Sequence, residues 1–168
     1  MRYPKTIAAL IVLAIAGGAW VLVRSRINAT ALPGTAHDVP KLHRNLPPHG
    51  GTPIGLGDDA FNLELVRDPA TGTLQAYVLD GEMEEFIRVA DPKIDLRIDR
   101  DGRKEILTLK PVADRVTGET IGDTCLFQAR AGWLKGTDPF KGVIQDLAIQ
   151  DQKFKAVPFA FPEGSAKD

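Results

Sequence analysis

From Thr52 onward the chain alternates apolar and polar side chains with a period of two, and no other feature limits its fold so sharply. Successive side chains of an extended strand point to opposite faces, so this rhythm marks strands with one buried and one solvated side. Phe61, Leu63 and Leu65 alternate with Asn62, Glu64 and Val66. Asp68-Pro69-Ala70-Thr71-Gly72 then supplies a turn, with proline preset for its first corner and glycine free to take the left-handed residue that closes it. Leu74–Leu79 returns along the first strand and ends at Asp80-Gly81. Ile94, Leu96 and Ile98 form the next alternating run, and Asp101-Gly102 predicts a two-residue hairpin, because both central residues of a type I′ turn need positive φ. The return strand is Glu105–Lys110, stopped by Pro111. Leu126–Ala131, Val143–Gln150 and Phe154–Phe161 complete the set, the last two joined by a tight turn at Asp151-Gln152. Many short strands separated by turn signals predict an all-β fold, an antiparallel β-sandwich of about seven or eight strands. Glu82–Arg88 has room for one helical turn at most.

The start of the chain obeys a different rule. Ile7–Val23 contains no charged residue, and as a helix it would be roughly 26 Å long, enough to cross a hydrocarbon core. Arg2 and Lys5 precede the run, Arg24 and Arg26 follow it, and Trp20 stands near its far end. Residues 1–26 are therefore read as a transmembrane anchor with basic flanks, the N-terminus inside. The rival is a cleaved signal peptide cut near Ala29-Thr30-Ala31. Two features oppose it: the apolar run exceeds the roughly 7–15 residues of a typical signal core, and Arg24 and Arg26 would fall between that run and the cut. Either way the remainder lies outside the cytoplasm, on the outer face of an inner membrane. Residues 27–51 are broken by Pro33, Pro40, Pro47, Pro48, Gly50 and Gly51 and read as a tether. The sandwich then spans 52–162, and 163–168 is a flexible tail.

A net charge of -1 from 21 basic and 22 acidic residues leaves no basic face for nucleic acid. The single cysteine, Cys125, excludes an internal disulfide and reads as a small buried residue in a strand. Gly-x-Ser-x-Gly, a phosphate-cradling loop and His-Glu-x-x-His are all missing. The only serines are Ser25 and Ser165, and no histidine follows His49, so a Ser-His or Cys-His pair would have to borrow from the tether. Asp58-Asp59 and Glu84-Glu85 are adjacent carboxylates beside turns, with no apolar pocket in the pattern to push their pKa values apart. The chain is read as a binding or accessory domain and not an enzyme.

Metal ligation is the remaining chemistry. His37, His43 and His49 lie six residues apart, which matches no helical chelate. Imidazole is nevertheless the commonest side-chain ligand for zinc and copper. His49 is the best placed, since Pro48-His49-Gly50-Gly51 brings it to the mouth of the first strand. Glu82 and Met83, in Gly81-Glu82-Met83-Glu84, add a carboxylate and a thioether that suit a mixed Cu or Zn site. The bland alternatives are a solvated linker histidine and a charged loop with one apolar residue folded inward.

The runs His49-Gly50-Gly51-Thr52, Phe61-Asn-Leu-Glu-Leu-Val-Arg-Asp-Pro-Ala-Thr-Gly72 and Ala76-Tyr-Val-Leu-Asp-Gly81 together resemble a small β-domain. It occurs near the N-terminus of some periplasmic adaptor subunits of heavy-metal efflux pumps of the resistance-nodulation-division class, and in stand-alone anchored proteins. The resemblance covers about a third of the chain. It implies an immunoglobulin-like sandwich, a periplasmic location, partners in an envelope or efflux complex and a role in metal-cation handling, with His49 as the residue that carries over. That pattern often has a histidine shortly after its Asp-Gly, where this chain has Glu82 and Met83. Two functions follow as expectations: a membrane-anchored accessory domain associated with metal handling or efflux, or a metal-free docking module of an envelope complex.

Overall fold

The computed structural model describes residues 46–165. The expected anchor at Ile7–Val23, the signal-peptide alternative, His37, His43 and most of the tether lie outside the described residues. Among the described residues no helix is long and apolar enough to cross a membrane.

Within them the period of two becomes nine antiparallel strands. These are β1 (Thr52–Leu56), β2 (Phe61–Asp68), β3 (Thr73–Asp80), β4 (Ile94–Arg100), β5 (Arg103–Pro111), β6 (Leu126–Arg130), β7 (Phe140–Ile149), β8 (Gln152–Phe161) and β9 (Gly164–Ser165). Every strand expected from the alternation is present. β1 and β9 add to them, and β7 begins earlier than the pattern suggested, at Phe140. The strands are joined in one sheet in the order β1-β2-β3-β6-β5-β4-β7-β8-β9. The sheet curls so that its ends meet: Gly55 N donates to Ser165 Oγ at 2.8 Å, and Thr52 Oγ1 donates to the Pro162 carbonyl at 3.1 Å. The result is an all-β architecture close to a barrel, its two halves facing each other over one core.

That core is what the alternation encodes. Ile54, Leu63, Leu65, Leu74, Ile94, Leu96, Ile98 and Leu109 are fully buried, with Phe127 and Phe159 filling the space between them. Each such side chain contributes about 1.5–3 kcal/mol by leaving water. A short 3-10 turn, Gly132–Lys135, was not visible in the pattern; it inserts Leu134 into the same core.

The turns follow local chemistry. Asp101 and Gly102 have φ of 53° and 77°, the type I′ pair expected. Gly72 takes φ of 70° at the close of the β2–β3 turn, where Asp68 Oδ1 accepts the Ala70 N–H at 2.9 Å and Oδ2 accepts the Thr71 hydroxyl at 2.6 Å. The β7–β8 turn sits one residue earlier than expected. Ile149 pairs with Gln152, and Gln150 adopts the positive φ, 53°, that the tight reversal needs. The Glu82–Arg88 stretch makes turns and a single bridge, Leu79 to Phe86, instead of a helical turn.

Candidate functional site

β2 breaks the simple alternation, and the site begins there. Leu63 and Leu65 face the core, so Asn62 and Glu64 belong on the outer, wet face; yet Asn62 is 5% exposed and Glu64 is 0% exposed. Chain from two directions covers that face: the turn leading into β1, and the loop after β3.

The first cover is Pro47–Gly51. Gly50 N donates to the Pro47 carbonyl at 3.0 Å, closing a turn that lays His49 over β2. Glu64 Oε1 accepts the His49 N–H at 2.9 Å and the Gly51 N–H at 2.8 Å, while Oε2 lies 2.9 Å from His49 Nδ1. Gly51 is obligatory because the chain passes so close: a Cβ there would sit 2.5 Å from the Leu65 carbonyl oxygen. A buried carboxylate needs partners in proportion to the hydration it gives up, and these three donors supply them.

The register places Tyr77 of β3 directly opposite Glu64. The His49 ring stacks on it, with centroids 3.8 Å apart and planes 15° apart. Phe86 completes an aromatic trio at 5.7 Å from His49 and 6.2 Å from Tyr77, and it is half exposed. Burial first, and then the charge of Glu64, pushes the Tyr77 hydroxyl above its ordinary pKa, so it stays protonated.

The second cover is organised by Asp80. Its Oδ1 accepts the Glu84 N–H at 2.9 Å and the Glu85 N–H at 3.1 Å. Asn62 Nδ2 donates to the carbonyls of Asp80 and Gly81, both at 3.1 Å. The segments carrying His49, Glu64, Tyr77 and Asp80 thus pack together around β2 and β3.

The structure places the three expected metal ligands on the two covers, His49 on the entry turn and Glu82 and Met83 on the loop after β3. His49 lies on Glu64 and Tyr77, and its side chain is 35% exposed. Glu82 is exposed on the loop. Met83, at φ of 58°, is 7% exposed and lines a shallow hollow with Pro53, Asn62 and Gly81, one strand repeat along β2 from Glu64. No hydrogen bond or ion pair joins His49 to Glu82 among the described residues. Nor, among them, do three or more His, Cys, Asp or Glu side chains gather where a metal ion could be held. Asp58, Asp59, Glu84 and Glu85 are all exposed. Glu64 and Tyr77 were within the sequence pattern but not singled out. A polar residue at an outward strand position reads as solvated, and nothing local announces the lid above it.

Cys125 is buried and free. Burial and then the hydrogen bond to Glu119 push its thiol up to about 12, so it carries no thiolate near neutral pH. Glu119 is itself a buried organiser: it accepts the Cys125 N–H at 2.8 Å and the Thr117 hydroxyl at 2.7 Å, holding the long loop between β5 and β6.

Comparison of the chain with protein-family models, with curated proteins and with solved structures finds no match.

Proposed function

We propose that this chain is a non-catalytic accessory domain, held outside the cytoplasm by the apolar run Ile7–Val23, that presents His49 to a cation of the zinc or copper class. The observation that carries the reading is the 2.9 Å pairing of His49 Nδ1 with the fully buried Glu64. A carboxylate can only accept, so Nδ1 carries the hydrogen and the lone pair is left on Nε2. A carboxylate behind one ring nitrogen is the arrangement that orients metal-binding imidazoles, and the His49 side chain is 35% exposed. Stacking on Tyr77 fixes the plane of the ring as well.

The donor set fits one-point attachment. One imidazole, with Glu82 exposed on the loop after β3 and the Met83 thioether buried, suits a cation shared with water or with a second molecule, as in transfer, and not a closed four-ligand structural site. The resemblance to efflux adaptor domains points the same way and adds envelope or efflux-complex proteins as partners. An immunoglobulin-like sandwich belongs to this proposal as the finer description of the two facing halves of the sheet. The second reading, a metal-free docking module, is favoured by the open edge of β5 described below.

The test is a titration of the full chain in detergent with Zn(II), Cu(II) and Cu(I), in a His37→Ala/His43→Ala background that leaves His49 as the sole imidazole. Binding is read as metal retained after equilibrium dialysis, with the His49 ring resonances reporting the site in the chains that keep it. His49→Ala should abolish the response. Glu64→Gln should weaken it about 10- to 100-fold by losing the orienting carboxylate. A His49→Ala chain that binds as well as its parent overturns the reading.

A further inference from the structure

Over Arg103–Leu109, β5 is paired along one side only. That stretch runs against β4, from Arg103 opposite Arg100 to Leu109 opposite Ile94. On its other side β6 reaches only Lys110 and Pro111. Among the described residues no strand pairs with the outer side of Arg103–Leu109, and Ile106 in the middle of that stretch is 56% exposed. An unpaired edge carrying a large apolar side chain is a ready template for another strand.

Parity shows which groups are free. The type I′ turn makes Arg100 and Arg103 a hydrogen-bonded pair, so Arg103, Glu105, Leu107 and Leu109 turn their N–H and C=O groups towards β4. The even-numbered residues face the other way. Lys110 pairs with Gln128, and Val112 N donates to the Leu126 carbonyl at 2.9 Å, as that parity requires. Lys104, Ile106 and Thr108 are left with outward backbone donors and acceptors.

We infer that this edge pairs with the same edge of a second copy of the chain, antiparallel and centred on Ile106. Charge complementarity selects the occupant and the register. Centred on Ile106, the pairs are Ile106 with Ile106 of the other copy, Lys104 with Thr108, Glu105 with Leu107 and Arg103 with Leu109. No two like charges are opposed. Sliding by one pair in one direction sets Glu105 against Glu105; sliding in the other sets Lys104 against Lys110. Either costs energy, because like charges directly across a ladder destabilise it. The chosen register also brings Lys104 towards the acidic neighbour of Thr108, since Thr108 Oγ1 donates to Asp95 Oδ1 at 2.6 Å. Three hydrogen-bonded pairs give about six new main-chain bonds, and the two Ile106 side chains cover each other. The contact is small beside a standard interface, so the dimer is concentration-dependent. The inference does not depend on the reading of His49.

Cysteine crosslinking and a proline variant test it in the full chain. Opposed residues of a hydrogen-bonded pair lie about 5.5 Å apart at Cα, within disulfide range. Ile106→Cys should therefore form a disulfide-linked dimer under a mild oxidant such as diamide, while wild type, with only the buried Cys125, should not. Lys104→Cys alone should fail, and a mixture of Lys104→Cys and Thr108→Cys chains should succeed. Ile106→Pro removes a donor that points away from β4, so the melting temperature should hold while sedimentation shows the dimer weakened by about 30-fold, the equivalent of two lost hydrogen bonds. Ile106→Cys crosslinking no better than wild type, Lys104→Cys crosslinking alone as well as Ile106→Cys, or a folded Ile106→Pro chain with unchanged self-association each overturn the proposal. If Ile106→Pro does not fold, the crosslinking pattern decides.

Discussion

Replacing Glu64 by alanine removes one fully buried side chain and strands three donors: the His49 N–H, the Gly51 N–H and His49 Nδ1. Hydrogen bonds to a charged acceptor contribute about 1.5–3 kcal/mol each, so the gross loss is about 4.5 kcal/mol or more. His49 is exposed and Gly51 only half-buried, so once released both regain water; a net cost of about 2 kcal/mol remains. For a domain of this size that is a fall in melting temperature of about 6–10 °C. Glu64→Gln keeps one oxygen for the two main-chain donors and should lose about half as much. Two measurements decide the matter: thermal unfolding followed by circular dichroism, and hydrogen exchange at the His49 and Gly51 amides, where protection should fall at least tenfold. A Glu64→Ala chain melting within a degree of wild type, or unchanged exchange at those two amides, would refute the idea that this carboxylate pins the entry turn to β2.

Three further outcomes are expected. Gly81→Ala should destabilise the chain by about 1–3 kcal/mol in chemical denaturation, because the new Cβ would lie 2.2 Å from the Asp59 carbonyl oxygen and main chain must move; an unchanged midpoint would contradict that packing. Cys125, its thiol pushed up to about 12, should react with iodoacetamide at pH 8 roughly a thousand-fold more slowly in the native chain than in the denatured one; comparable rates would show the thiol to be accessible and ionised. Burial raises the Glu119 pKa, but the Cys125 N–H, the Cys125 thiol and the Thr117 hydroxyl outweigh it and leave the carboxyl below its ordinary value. A depressed carboxyl pKa adds stability above the unfolded value, about 4.3, and that stability drains away as pH falls through the folded one. Glu119→Gln should therefore show a shallower loss of stability with acid than wild type, measured by denaturant melts at pH 3–6, and an identical acid limb would count against the role given to Glu119.

Much of the fold was written locally. Period-two alternation placed Phe61, Leu63, Leu65, Ile94, Leu96 and Ile98 in the core, and Asp101-Gly102 fixed a hairpin, because side-chain direction and positive φ are properties of a residue and its neighbours. The lone cysteine, similarly, could be read as a buried structural residue from what surrounds it. The position of His49 at the strand entrance was legible too, but its contacts with Glu64 and Tyr77 were not. Alternation says which side of a strand a residue faces, but not whether anything covers that side. Asn62 and Glu64 are polar and outward, and only the packing of the Pro47–Gly51 turn and the loop after β3 made them buried. That depends on contacts 13 to 19 residues apart. The meeting of β1 with β9 spans 110 residues. The bare outer edge of β5 likewise follows from strand order, which no local pattern encodes because pairing is settled by the whole chain competing for one core.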